Sequence, residues 1–213
     1  MPRLVERRKN MVNKPKVKGT FAETTVVNYL RGNGFPYAER RTLKGAKDRG
    51  DVAGCPGLCF EVKYAGVNLK ISAWLGETDV ESLNDGADYG ILVVKPLGLG
   101  ERSVASWYAV MTSEYFGKLA QAVQFLDDYP IIHEGEPTTY SAKALRWQLN
   151  SATRNLGPNE VMALTLRPPN TKDDPQGWYR VTTLEHMVKL LRFVGYGDPL
   201  PLVEASTNAS PGL

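Results

Sequence analysis

At 213 residues, with 42% apolar and 23% charged residues, the chain has the make-up of an ordinary globular protein with ample core. No apolar run is long enough to cross a bilayer, and the basic N-terminus lacks an apolar leader region. The expectation is an unprocessed cytoplasmic protein. The net charge of +3 hides an asymmetry: residues 1–63 hold 14 Lys/Arg against 6 Asp/Glu (+8), and residues 64–213 hold 12 against 17 (−5). A positive front half suits a phosphate-bearing partner such as DNA or RNA.

Residues 1–18 contain seven basic residues and one acid without usable periodicity, which predicts a flexible basic arm. From Thr20 onward, Phe21, Val26, Val27, Tyr29 and Leu30 recur at helical spacing until Gly32. A helix is predicted over 20–31, with Glu23 in its first turn. Phe35 to Arg41 suggests a first strand, and TLKGAKDRGD a polar, basic loop. Asp51 to Ala53 begins a second strand, and a Cys-Pro-Gly turn leads into a third over Leu58–Tyr64. Cys55 and Cys59 have no nearby histidine to complete a zinc site, so buried, idle thiols are expected. Ile71 to Leu83 has helical spacing, and YGILVVK (89–95) is a continuous apolar run typical of a strand covered on both faces. Trp107–Met111 reads as a strand and Glu114–Leu126 as a helix.

The chain then partly repeats itself. ILVVKPLG, a loop and WYAVMTSEYFGKL (91–119) parallel LTLRPPN, a loop and WYRVTTLEHMVKL (164–190). This predicts a duplicated strand–strand–helix unit, catalytically empty in its second copy. Residues from Asp198 onward read as a loose tail.

The chemistry concentrates in GDVAGCPGLCFEVK (50–63). Strand side chains alternate faces, so Glu61 and Lys63 emerge together about 6–7 Å apart along the strand while Phe60 and Val62 point inward. A bland structural Glu–Lys pair at a sheet edge is one reading. The other turns on Asp51, which the short turn can bring beside Glu61. Adjacent carboxylates repel and raise each other's pKa unless a cation lies between them. Mg²⁺ suits such hard oxygen donors, with Mn²⁺ as a substitute, the Val62 carbonyl as a further ligand, and Glu23 completing the shell. Lys63 would then orient or deprotonate an attacking water. Glu77 and Glu81, one helical turn apart, could supply an outer-shell carboxylate but read first as a solvated helix face, and Trp74 and Tyr64 could stack on bases but read first as packing residues.

The ordered set Glu23, Asp51, Glu61 and Lys63 resembles the PD-(D/E)xK metallonuclease signature, with Gly50 where proline often stands. KGTFAETTVVNYLRGNGF (18–35), the basic loop, D-V-A-G and E-V-K together are similar to archaeal- and phage-type Holliday junction resolvases. The resemblance covers roughly residues 18–126. It implies an α/β restriction-endonuclease-like fold: a mixed central sheet flanked by helices, here over residues 19–126, with an extension over 127–197. It also implies Mg²⁺ on Glu23, Asp51, Glu61 and the Val62 carbonyl, Lys63 as catalytic, and action as a homodimer, or here as a pseudo-dimeric monomer. Arg40, Arg41, Lys44, Lys47 and Arg49 lie beside the Asp51 strand and are expected to contact DNA phosphates. The expected function is structure-selective cleavage of branched or duplex DNA in recombination and repair, most of all Holliday junction resolution. An exonuclease or repair nuclease of the same superfamily stays open as the alternative, as does a non-catalytic DNA-binding protein on this fold. GLG (98–100) and GYG (195–197) are not phosphate loops, and His133 and His186 have no nucleophile pattern beside them.

Overall fold

A computed structural model describes residues 14–42, 48–66, 69–124, 131–135, 142–168 and 177–198. Helix α1 runs Lys14–Arg31, starting six residues earlier than the apolar spacing suggests. Pro15 suits that earlier start, because a helix's first turn has no internal acceptor for the N–H that proline lacks. The expected first strand shrinks to β1, Glu39–Arg40, because a turn at Pro36–Tyr37 closes with Ala38 N–H donating to the Phe35 carbonyl (3.0 Å). Strands β2 (Val52–Ala53) and β3 (Leu58–Tyr64) follow, then α2 (Ile71–Asp85) and β4 (Tyr89–Lys95). After a 3₁₀ turn at Glu101–Ser106 come β5 (Tyr108–Thr112) and α3 (Ser113–Gln124). The remaining elements are β6 (Ile131–Gly135), α4 (Ala142–Thr153), β7 (Glu160–Leu166), β8 (Tyr179–Thr183) and α5 (Leu184–Phe193).

The eight strands form one mixed sheet in the order β1-β2-β3-β4-β5-β8-β7-β6. β3 and β4 pair in parallel, as do β6 and β7; every other neighbour is antiparallel. The two parallel pairs are each joined through a helix, α2 and α4, as parallel pairing requires. Helices cover both faces. α1, α3 and α5 bury Val26, Leu30, Phe116, Leu119, Met187 and Leu191 against one face. α2 and α4 bury Ile71, Leu75, Leu145 and Leu149 on the other, over Leu92, Val110 and Val181. Burial on both sides explains why β4 reads as an unbroken apolar run. Among the described residues no helix is long and apolar enough to cross a membrane.

The end of the described chain is fastened to its beginning. Asp198 N–H donates to the Gly34 carbonyl at 2.6 Å, and the Tyr196 hydroxyl donates to Asp88 at 2.8 Å. Gly197 sits between them at φ +80°, where a Cβ would lie 2.3 Å from the Gly34 carbonyl oxygen, so only glycine fits.

Candidate active site

The β2–β3 hairpin builds the site. Asp51 stands just before β2 and is held in the ladder on both sides: its N–H donates to the Phe60 carbonyl, and its carbonyl accepts from Arg41 N–H, each at 2.8 Å. Gly50 permits this approach. Its φ is +81°, and a Cβ there would lie 2.7 Å from Cys59 Sγ and 2.9 Å from the Phe60 carbonyl oxygen. Proline, fixed near φ −65°, cannot occupy that position. The Asp51 carboxylate accepts the Val62 N–H at 2.9 Å.

Phe60 and Val62 join the core beneath α1, while Glu61 and Lys63 face α2, as strand alternation requires. Glu61 is only 6% exposed, and Lys63 Nζ lies 2.6 Å from its Oε1. Two residues that read as a solvated helix face come to the same place. Glu77 pairs with Lys63 Nζ at 2.8 Å, and Glu81, also 6% exposed, stands near enough to Glu61 to act on its carboxyl. The cause is the placement of α2, which lies across β3 and β4 and turns its Thr78–Glu81–Ser82 stripe inward. The sequence carries no local signal of this, because the apolar residues of α2 do not fix which of its acids turn inward.

The electrostatics follow from this crowding. Burial raises the Asp51 pKa to about 8, reinforced by the charge of Glu61 and more weakly of Glu23, and opposed by the Val62 N–H. Burial likewise raises Glu61 to about 7; Lys63 opposes this and Glu81 adds to it. Glu81 is raised by burial, with Glu61 acting the other way, and its Oε2 is buried without a hydrogen-bond partner. Burial pulls the Lys63 ammonium down, but hydrogen bonds and attraction from Glu61 and Glu77 outweigh it and leave its pKa above the usual lysine range. Lys63 is therefore a charged donor and not a resting base.

Glu23 lies near enough to act on Asp51 electrostatically, but its carboxylate is paired with Arg40 Nε at 2.7 Å. Arg41 is paired with Asp85 at 2.8 Å and donates to the Val52 carbonyl, so it ties β2 to the end of α2. Arg49 is exposed beside the hairpin, and its carbonyl accepts the Cys59 thiol (3.3 Å). Lys44 and Lys47 lie outside the described residues. Both cysteines are free and buried, and burial pushes each thiol to about 12, as inert structural groups. Trp74 packs against the α2-side core and Tyr64 against the α1-side core, with Lys95 Nζ 4.3 Å from the Tyr64 ring centroid. His186 accepts the Met162 N–H on Nδ1 at 3.3 Å and stands on α5, on the opposite face of the sheet.

Among the described residues, no three His, Cys, Asp or Glu side chains are grouped as a ready metal cage. The donor chemistry nevertheless fits a hard divalent cation. Asp51 and Glu61 are all-oxygen donors held side by side against their mutual repulsion, and Glu81 leaves a buried oxygen unpaired. No protein-family model matches the chain, nor does any curated protein or solved structure.

Proposed function

We propose that this chain is a Mg²⁺-dependent, structure-selective DNA endonuclease of the PD-(D/E)xK type. In this reading its sheet is a restriction-endonuclease-like core followed by a partly duplicated C-terminal unit, and its substrate is branched DNA, above all the Holliday junction. One observation carries the reading. A half-buried Asp51 just before β2 and a buried Glu61 on β3 meet at pKa values near 8 and 7, with a charged Lys63 2.6 Å from Glu61. A stable protein has little reason to bury two repelling acids unless a cation is part of the working state.

Asp51 and Glu61 would hold the ion, with the Val62 carbonyl as a further donor and Glu81 taking up water in its outer shell. When bound, the ion supplies charge neutralisation at the phosphate and acidifies a water. The chain's own residues do the rest. Lys63 presents its ammonium to a non-bridging phosphate oxygen and, steadied by Glu77, fixes the line of water attack. Water oxygen bonds to phosphorus as its proton passes to solvent, one P–O ester bond breaks, and the leaving oxygen takes up a proton from solvent. Glu23 joins the site only if Arg40 leaves it for a DNA phosphate, an exchange of one anion for another on the guanidinium. Arg49, exposed next to the hairpin, supplies a sequence-independent backbone contact.

The test presents purified protein and Mg²⁺ with synthetic four-way junctions, flaps and linear duplexes. Nicks at the junction support the reading, and progressive shortening of linear ends replaces it with an exonuclease. No cleavage of any substrate, unchanged by Asp51→Asn, leaves a DNA-binding protein on this fold.

A further inference from the structure

The register of the sheet contains a symmetry that the strand order alone only hints at. β4 meets β5 through Leu92↔Val110, Val93↔Ala109 and Val94↔Tyr108. β7 meets β8 through Leu164↔Val181, Thr165↔Arg180 and Leu166↔Tyr179. Each pair of the second set is the first set displaced by 72 residues on one strand and 71 on the other. At the centre, β5 and β8 pair through Val110↔Val181, flanked by Tyr108↔Thr183 and Thr112↔Tyr179. A shift of 71 carries Val110 onto Val181, Tyr108 onto Tyr179 and Thr112 onto Thr183. Exchanging the two strands therefore regenerates the same three pairs, which is the property of a two-fold axis between Val110 and Val181.

Two local features repeat at the same displacement. Thr112 Oγ1 accepts the Tyr115 N–H at the start of α3, and Thr183 Oγ1 accepts the His186 N–H at the start of α5, both at 3.2 Å. Lys95 Nζ lies 5.7 Å from the Trp107 ring centroid, and Arg167 Cζ lies 4.2 Å from that of Trp178.

The chemistry does not repeat. Glu61 is registered with Leu92, and the residue registered with the equivalent Leu164 is Gly135. A Cβ at Gly135 would lie 2.3 Å from Leu164 Cδ2, so leucine has closed over the place where the first half carries its carboxylate. The free edge of β5, which a second copy of the first half would use for such pairing, is taken by β8.

We infer that the chain is a covalent pseudo-dimer about an axis at Val110 and Val181, and that it acts as a single chain with one catalytic centre, cutting one strand per binding event. The inference rests on the nuclease reading for its second part only. It deepens that reading by fixing the stoichiometry: one divalent-ion centre and one nick per chain, with the second half offering surface and no chemistry.

The experiment uses the full chain. Sedimentation at micromolar concentration, alone and with a synthetic four-way junction, is paired with Mn²⁺ titration of the free protein. Strand-by-strand cleavage is then followed under single-turnover conditions with each junction strand separately labelled. The expected results are one chain per particle and per junction, one Mn²⁺-binding centre lost in Asp51→Asn, and single nicks at any instant. A stable homodimer, alone or on the junction, overturns the pseudo-dimer whatever the activity. Two strands cut within one binding event overturn the single-centre part. A one-chain particle that cuts nothing overturns the nuclease reading and the one-nick claim with it, but leaves the axis standing.

Discussion

Asp51 and Val62 are joined by a 2.9 Å hydrogen bond from the strand's N–H to the carboxylate, so the first acid is fastened to the strand that carries the second. The Asp51 carboxylate is thereby held to the backbone of β3. That rigidity makes the consequences of single substitutions sharp.

Removing either end of the machinery should abolish cleavage and spare binding. Asp51→Asn and Lys63→Ala are each expected to lower the cleavage rate by about two orders of magnitude or more. Junction affinity in Ca²⁺ should fall far less than the rate, because each variant leaves the other backbone contacts in place. Equal losses of binding and cleavage would instead give these residues a role in holding DNA.

The raised carboxyl pKa values give a signed pH dependence. Asp51 at about 8 and Glu61 at about 7 bind protons more tightly in the folded state than in the unfolded chain, where values lie at roughly 4. This contribution to stability is complete below roughly pH 4 and is lost as the pH rises through 7 and 8. With divalent ions chelated, Asp51→Asn should therefore melt several degrees above the parent at pH 9 and alongside it at pH 4. Mg²⁺ should stabilise the parent more at pH 8 than at pH 5, since at the lower pH it competes with protons. A pH-independent difference in thermal melts would remove the electrostatic account.

Glu81 offers a test independent of catalysis. Glu81→Gln keeps the shape and removes one of three crowded acids, so metal-free stability should rise at pH 8. Mn²⁺ affinity, read by calorimetry, should fall about 10-fold or more, as for other residues that support a ligand without holding the ion. An unchanged affinity would return Glu81 to a purely structural place.

The arginines should divide by partner. Arg41 is engaged with Asp85 and the Val52 carbonyl, whereas Arg49 is exposed. Arg49→Ala should reduce the salt slope of DNA binding by about 1 without affecting stability. Arg41→Ala should lower the urea midpoint, because it strands a buried-side acid. The opposite assignment of effects would refute this division.

Trp107 is completely buried, with its Nε1–H donating to the Gly100 carbonyl at 3.3 Å, while Trp147 is 70% exposed. Trp107→Ala should cost about 3–5 kcal/mol, by cavity formation. Trp147→Ala should stay within about 0.5 kcal/mol. Denaturant curves of the two variants check both.

Much of this architecture is legible in the chain because it depends on short-range spacing. The apolar steps of α1 and α2, the unbroken run of β4 and the shared face of Glu61 and Lys63 are all local patterns. Asp51 is legible beside Glu61 for a related reason, since the nine residues between them, with a Cys-Pro-Gly turn in their middle, fold back as a hairpin. Glu81 is not, because its burial depends on how α2 is rotated over β3, and two acids four apart look alike whichever way they face. The pairing of Glu23 with Arg40 is hidden for the same reason. The repeat of WYAVMT as WYRVTT is visible as a likeness. That it places one copy against the other depends on β5 and β8 being neighbours, which no local pattern encodes.

The tie between Gly34 and Asp198 has a consequence for how the protein is made. The helix carrying Glu23 is finished off by residues synthesised more than 160 positions later. A ribosome that has delivered every acidic group of the candidate site has therefore not yet delivered the turn that secures that helix. The nascent chain should gain protease resistance in one late step, as the segment around Tyr196 clears the exit tunnel.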